Sequence, residues 1–251
     1  MPAEWSPHEG ENGLVARPGT SDPTALAVSY RPVPSVPEVS IHQAAPDAGL
    51  WDATGGAYRS DRPPPFWAFP WPGGQALARF VLDNPGVVAG RSVVDLGAGS
   101  GLVALAASIA GASRVRALET DAAAVAAVER NAAEHVRRTN ADRTPVEAVL
   151  GDVLDITAAD DRRWHDMLAD IEVLLAGDLF YSQPLADRAM PFLRRIERAG
   201  VRVLVGDAGR GFLPTDRFDL LTQYDVPTRA AVEEADRMRA SVWELRRLAV
   251  R

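Results

Sequence analysis

The chain alternates two kinds of apolar pattern. Short β-branched runs (VVDL at 93–96, RVRALE at 114–119, PVEAVL at about 145–150, IEVLLAGDLFY at 171–181, VRVLVGDAGRG at 201–211) are separated by longer stretches of helical spacing. LVALAASIAG follows the first run, residues 121–138 the second, and QPLADRAMPFLRRIERAG the fourth. Asp121 stands where an N-cap would, and 157–168 reads as a short helix. After residue 216, RFDLLTQYDVP and ASVWELRRLAV alternate enough to form two antiparallel strands, with a short helix or loop at 228–240. Together these predict a seven-stranded, mostly parallel, Rossmann-like α/β sheet with helices on both faces. Upstream, QALARFVLDNP reads as an amphipathic helix ending before Pro85, and GLWDATGG at 49–56 as a turn-rich connector. Residues 24–45 hold short alternations split by Pro32, Pro34 and Pro37, which predicts one or two edge strands. Residues 1–23 carry four prolines and no periodicity and are expected to be disordered. The division is therefore an extension at 1–23, an N-terminal edge segment at 24–62 and the main domain at 63–251.

The stretch around which this pattern is organised is VVDLGAGSG, 93–101. A strand, a turn carrying Gly97, Gly99 and Gly101, and a helix start form a nucleotide-binding unit, with the acid Glu119 at the end of the next strand. The spacing is G-x-G-x-G rather than G-x-G-x-x-G, and Asp95 sits two residues before the first glycine. A carboxylate there would repel a pyrophosphate but suits a ligand with a cationic amino acid portion. S-adenosylmethionine (SAM) has that portion and a ribose for Glu119, so SAM is favoured over a nicotinamide dinucleotide. D-x-G-x-G-x-G is similar to the first motif of the class I methyltransferases.

Composition removes other chemistries. The chain has no cysteine, and all 27 basic residues are arginine, so thiolate nucleophiles, P-loop lysines and Schiff-base lysines are excluded. The four histidines show no metal-ligand spacing, and no metal is expected. A net charge of −7 argues against nucleic acid as a partner. The absence of a long apolar run argues against a membrane. Arginine without lysine, with abundant alanine, suggests a GC-rich bacterial genome, and the expected location is cytoplasmic.

Other candidate residues come from strand ends, because ligands of open α/β sheets bind there. Asp152, past 146–150, is placed to accept from an adenine amine or to cap a turn. PPPFWAFPWPGG packs four aromatics into positions 66–71; they read as a plug on the sheet edge or as a cleft wall that attracts cations, Trp71 foremost. GDLFY sets Asp178, Phe180 and Tyr181 beside the switch point. Asp178 would orient an incoming amine; the alternative is a cap on the following helix. Asp178-Leu179-Phe180-Tyr181 lacks the proline pair of enzymes that methylate amides or adenine, which favours an aliphatic amine.

FWAFPWPGGQALARFVLDNP, VVDLGAGSG, AGDLFY, VRVLVGDAGR and a late SVW together resemble the electron-transfer flavoprotein β-subunit lysine methyltransferases, from about residue 37 to 246. The resemblance implies SAM-dependent lysine methylation of that protein subunit. It implies that Trp71, Asp95, Gly97, Glu119 and Asp178 serve SAM or the substrate lysine. Read from the residues themselves, the SAM site also takes in Gly99, Gly101 and Asp152, Trp67 and Phe180 are the substrate contacts, and Tyr181 joins Asp178 as the catalytic pair. Asp207 and Arg210 match a family turn and either touch substrate or brace the sheet. The second-strand acid falls in ALETD where relatives carry N-D-x-D, and Asp152 stands where they carry a neutral amide. Two other functions fit the residues: SAM-dependent methylation of a small amine, and a nucleotide-binding oxidoreductase or silent SAM-binding module.

Overall fold

The computed structural model describes residues 27–50, 64–139, 143–154, 168–229, 232–233 and 235–248. The extension at 1–23, most of the connector at 49–56 and all but the last residue of the helix expected at 157–168 lie outside them. β1 (Val28–Val33) and β2 (Val36–Ala44) pair antiparallel as a two-stranded sheet of their own. Both are edges, which is where their prolines can stand.

The main sheet comprises β3 (Ser92–Leu96), β4 (Arg114–Glu119), β5 (Val146–Leu150), β6 (Val173–Gly177), β7 (Arg202–Asp207), β8 (Phe218–Pro227) and β9 (Arg237–Leu245). Its order is β5-β4-β3-β6-β7-β9-β8. β5 to β7 are parallel, and β9 runs antiparallel to both β7 and β8. The order turns back between β3 and β6, so the crevice beyond their carboxyl ends is the expected ligand site. The helices are α1 (Pro72–Asp83), α2 (Leu102–Ile109), α3 (Ala122–Thr139) and α4 (Gln183–Arg198). α2 is buried over nearly its whole length, as a helix apolar all round must be. One core holds Leu77 and Val81 of α1, Leu105 of α2 and Ile41 of β2. The other holds Leu193 and Ile196 of α4 with Leu174, Val203, Phe180 and Phe218.

Three boundaries differ from the periodicity. The main chain leaves β6 at Gly177, because Asp178 has φ +52, a left-handed conformation uncommon for a side-chain-bearing residue. β9 starts at Arg237, inside the stretch read as loop. α1 starts at Pro72, ahead of Gln75, with Gly73 and Gly74 in its first turn. Those glycines are required by contact. A Cβ on Gly73 would fall 2.5 Å from the Gly206 carbonyl oxygen, and one on Gly206 would fall 2.0 Å from that of Gly73. A Cβ on Gly177 would lie 2.8 Å from Gly74 Cα. The N-terminus of α1 thus lies backbone to backbone on β6 and β7.

Candidate active site

Beyond β3, β4 and β6 opens a cleft of about 800 Å³. Its floor is the glycine turn, and Gly97 (φ +70) and Gly99 (φ +53) hold backbone geometry that side chains resist. Its walls include Trp67, Trp71, Glu119, Asp152, Asp178 and Tyr181.

The acids play distinct parts. Glu119 Oε2 accepts the Gly99 N–H at 2.9 Å and Oε1 accepts the Thr120 N–H at 2.7 Å, so one carboxylate ties β4 to the glycine turn. Oε1 is also approached by the Thr120 hydroxyl and the Asp121 N–H, each at 3.4 Å, whereas Oε2 keeps a second lone pair toward a ligand. Asp152 Oδ1 accepts the Leu154 N–H at 2.9 Å, the turn cap, while Oδ2 pairs with Arg188 at 2.5 Å. Asp178 lies on the floor. Its Oδ2 accepts the Gly74 N–H at 2.6 Å, and its own N–H donates to the Gly206 carbonyl at 2.8 Å. The Gly73 amide also bonds its carboxylate. Asp178 is therefore the cap of α1, supplied from more than one hundred residues away; Trp71, the residue before that helix, gives it no side-chain cap. It does not cap the helix that follows it. Burial of the carboxyl group pushes its pKa up to about 7, against the two amides and the positive charge of Arg210.

The aromatic stretch forms the mouth. Phe66 is 43% exposed and Tyr181 54%, their rings near parallel with centroids 6.4 Å apart. Trp71 donates its indole N–H to the Phe66 carbonyl at 2.8 Å and lies against Phe66 and Phe69. Arg130 lies over the Trp67 ring, and Arg210 stands 5.9 Å from the Trp71 ring while ion-paired to the buried Glu233.

Most of the residues read as functional meet here: Trp67, Trp71, Gly97, Gly99, Glu119, Asp152, Asp178 and Tyr181 line one cleft, with Arg210 beside them. Three need correction. Asp95 is 1% exposed and off the cleft wall; its Oδ2 accepts the Ala104 N–H at 2.9 Å. It caps α2, whose own N-cap is Gly101, a residue without a side chain, and burial raises its pKa to about 7. Gly101 (φ +80) also faces away, toward Val128, and serves the turn into α2 rather than a ligand. Phe180 is 1% exposed and stacks edge-on against Phe218 at 6.1 Å. The left-handed turn at Asp178 sends residue 180 under α4 and residue 181 back to the cleft, so Phe180 is a core residue. Asp207 accepts the Gly209 N–H at 2.7 Å and is buried, which makes it a brace of its turn. The partners missed by sequence reasoning were the Gly73 and Gly74 amides; a proline followed by two glycines gave the signal of a break where a helix begins.

The geometry makes one expectation sharp. Replacing Glu119 by Ala removes both the turn anchor and the acceptor over the cleft. S-adenosylhomocysteine (SAH) affinity, read by calorimetry, should weaken by about 1.5–3 kcal/mol.

Sheet order, glycine turn and strand-end acid define the class: a Rossmann-like fold of the class I methyltransferase kind. Residues 76–161 match the family model of ribosomal protein L11 methyltransferase (PrmA). The electron transfer flavoprotein beta subunit lysine methyltransferase of Homo sapiens is 36% identical over 176 residues, 69% of this chain and 60% of that one. The match thus spans less than two thirds of the human relative. The Mus musculus protein of the same name is 32% identical over 216 residues, 83% of this chain and 76% of the relative. The chain belongs to the electron transfer flavoprotein beta subunit lysine methyltransferase family. Among solved structures, magnesium protoporphyrin IX methyltransferase from Synechocystis with bound SAM aligns at TM-score 0.47 and 16% identity, over 69% of this chain and 79% of that one.

Proposed function

We propose that this chain methylates a lysine side chain of a protein, the electron-transfer flavoprotein β subunit, at the expense of SAM. The observation that carries this reading is the position of Asp178. Its carboxylate faces the cleft, held by the first turn of α1, and Trp71 and Tyr181 line the same space. The name of the relatives supplies the target.

The cleft suits the methyl donor. Two positive-φ glycines let a ligand lie against bare backbone, and at the end of β4 the Glu119 carboxylate keeps an acceptor on Oε2 for a ribose hydroxyl. Gly97, Gly99, Glu119, Asp152 and the Trp71 face would hold the donor. When bound, SAM supplies an electrophilic methyl group on a sulfonium centre. The protein's task is to bring an unprotonated amine in line with it, so positioning supplies much of the rate. Asp178 attracts the lysine ammonium and orients the nitrogen by accepting a hydrogen bond. Trp67, Trp71 and Tyr181 strip water from the aliphatic stem, which lowers the amine pKa from its usual ~10.4. Asp178 and the ring wall thus act in opposite senses on the proton, one binding the cation and the other favouring its loss. The exposed Phe66–Tyr181 pair fits a side chain entering from a protein surface better than an enclosed small amine.

Among the described residues no helix is long and apolar enough to cross a membrane. A cytoplasmic, bacterial setting without nucleic-acid contact belongs to this reading and rests on composition: no cysteine, arginine in place of lysine, and a charge of −7. The test is transfer of labelled methyl from SAM to recombinant flavoprotein β subunit. Label confined to lysine is expected; label in a small amine with none in the protein would reverse the substrate class.

A further inference from the structure

A second cavity, of about 260 Å³, lies behind Trp71 and takes no part in the chemistry above. It is bounded by the β1–β2 hairpin, by 69–72 and by the end of β8, and six of its lining residues are prolines, so its walls are stiff. Two half-buried guanidinium groups enter it. Arg31 donates to Ser29 Oγ at 2.8 Å and to the carbonyl of Ala44. Arg229 donates to that same carbonyl at 3.0 Å, to that of Ala45 at 3.0 Å and to Gln43 Oε1 at 3.4 Å, and stacks on Phe69. Two cations thus converge on one uncharged oxygen. Among the described residues neither meets a carboxylate. The one acid in the lining, Glu233, is taken by Arg210. Two other half-buried arginines of this acid-rich chain do have acids: Arg79 has Glu38 and Asp83, and Arg202 has Glu244. Burial and the neighbouring charge of Arg31 push the Arg229 pKa down, the mark of like charges held together without compensation. Each guanidinium carries five donors, so several remain for a ligand.

We propose that this cavity is a second substrate site, binding the carboxylate of an aspartate or glutamate that neighbours the target lysine. The inference rests on the protein-lysine reading. Among the described residues Trp71 and Val232 are the ones that line both spaces, so a chain that inserts lysine in the cleft can lay an adjacent acid over the Trp71 edge. The cavity would then choose which lysine is presented, while Asp178 handles the amine.

Arg31→Gln and Arg229→Gln should each raise KM for the flavoprotein β subunit about tenfold or more, with kcat and SAH affinity within twofold of wild type. Arg229→Lys, which keeps a cation but loses the fork, should recover part of the KM. A merely structural role would lower the melting temperature and kcat without that rescue. Changing the acids near the methylated lysine to glutamine should remove the effect of the arginine substitutions, a non-additive cycle. Unchanged KM overturns the proposal. So does an equal loss of SAH affinity, which would assign the guanidiniums to the carboxylate of the methyl donor. Should wild type fail to methylate the flavoprotein subunit, the function reading fails at that target and the cavity is tested alone. N-acetyl-glutamate amide is titrated onto wild type and both Gln variants. Binding lost in both variants supports the site, and no binding up to about 10 mM overturns it.

Discussion

Asp178→Asn is expected to cut methyl transfer by about 10²-fold or more while SAH binds as before. The carboxylate stands in the cleft at the end of β6, and the glycine turn and Glu119 lie on the other side of the switch point, at the ends of β3 and β4. Asparagine keeps the size and one acceptor for the Gly74 N–H, now at 2.6 Å, but its NH2 group would face a cationic substrate. Stability offers little excuse for lost activity. The wild-type carboxyl group is held at a pKa near 7 because its charge is costly where it lies, and the amide removes that cost. A melt at pH 8 within a few degrees of wild type, or above it, is the control. Single-turnover methylation of the flavoprotein subunit is the measurement, and a wild-type rate in the variant would reduce Asp178 to a helix cap.

The same group sets a pH signature. Its ordinary value is 3.8 and the folded value about 7. Below 7 a growing share of the enzyme carries a neutral Asp178, which cannot hold an ammonium group. The order of kcat/KM in hydroxide should fall by one on crossing about pH 7 in wild type, with no break in Asp178→Asn. Stability moves in the opposite direction. Between 3.8 and about 7 the folded chain holds protons on Asp95 and Asp178 that the unfolded chain has released. Their contribution is complete below 3.8 and is lost as pH rises through 7. Asp207, also raised by burial, adds to that slope, and His135, lowered by burial, opposes it below its ordinary 6.5. With three acids against one imidazole the melting temperature should decline from pH 5 to pH 8, less steeply in the Asn variant. Glu38 and Asp170, whose pKa values are lowered by arginine partners, act at more acid pH and do not enter that window.

The sheet was legible because its strands are β-branched runs and its helices apolar at 3.6 spacing. The cleft was legible because strand ends of such a sheet converge at one edge. What periodicity could not carry was direction. Asp95 and Asp178 look alike on paper, an acid at a strand end before a turn. In the structure each caps a helix that cannot cap itself, Asp95 the nearby α2 and Asp178 the distant α1. Only Asp178 also faces the cleft, because its φ of +52 turns it there. Phe180 was misplaced by the same turn. The long-range pairing of GDLFY with WPGG is a contact between backbone amides and a carboxylate, and amides leave no trace in composition.

That pairing supports the second large effect. Gly206→Ala is expected to lower stability by about 3 kcal/mol or more. The added Cβ would stand 2.0 Å from the Gly73 carbonyl oxygen and 2.9 Å from Leu77 Cβ, and backbone cannot swing aside as a side chain tip can. For a domain of this size the melting temperature should fall by about 6–12 °C. The loss should be catalytic as well as thermal. Gly206 receives the Asp178 N–H through its carbonyl, and α1 brings the Gly74 N–H to the Asp178 carboxylate. Pushing α1 off β7 therefore displaces the carboxylate from both of its anchors. At a temperature where the variant is fully folded, kcat should still drop about tenfold or more, because a shift near 1 Å at a reacting centre is enough. SAH affinity should fall less than kcat, since Gly97 and Gly99 lie in the turn after β3 and Glu119 ends β4, while of the donor contacts only Trp71 stands at the start of α1. Gly86→Ala is the matched control. Its Cβ would meet nothing within 4 Å and its φ is ordinary, so it should leave activity intact and stabilise by up to about 1 kcal/mol. If Gly206→Ala melts and turns over like Gly86→Ala, the close packing of α1 on β7 does not position Asp178, and the link between WPGG and Asp178 is wrong.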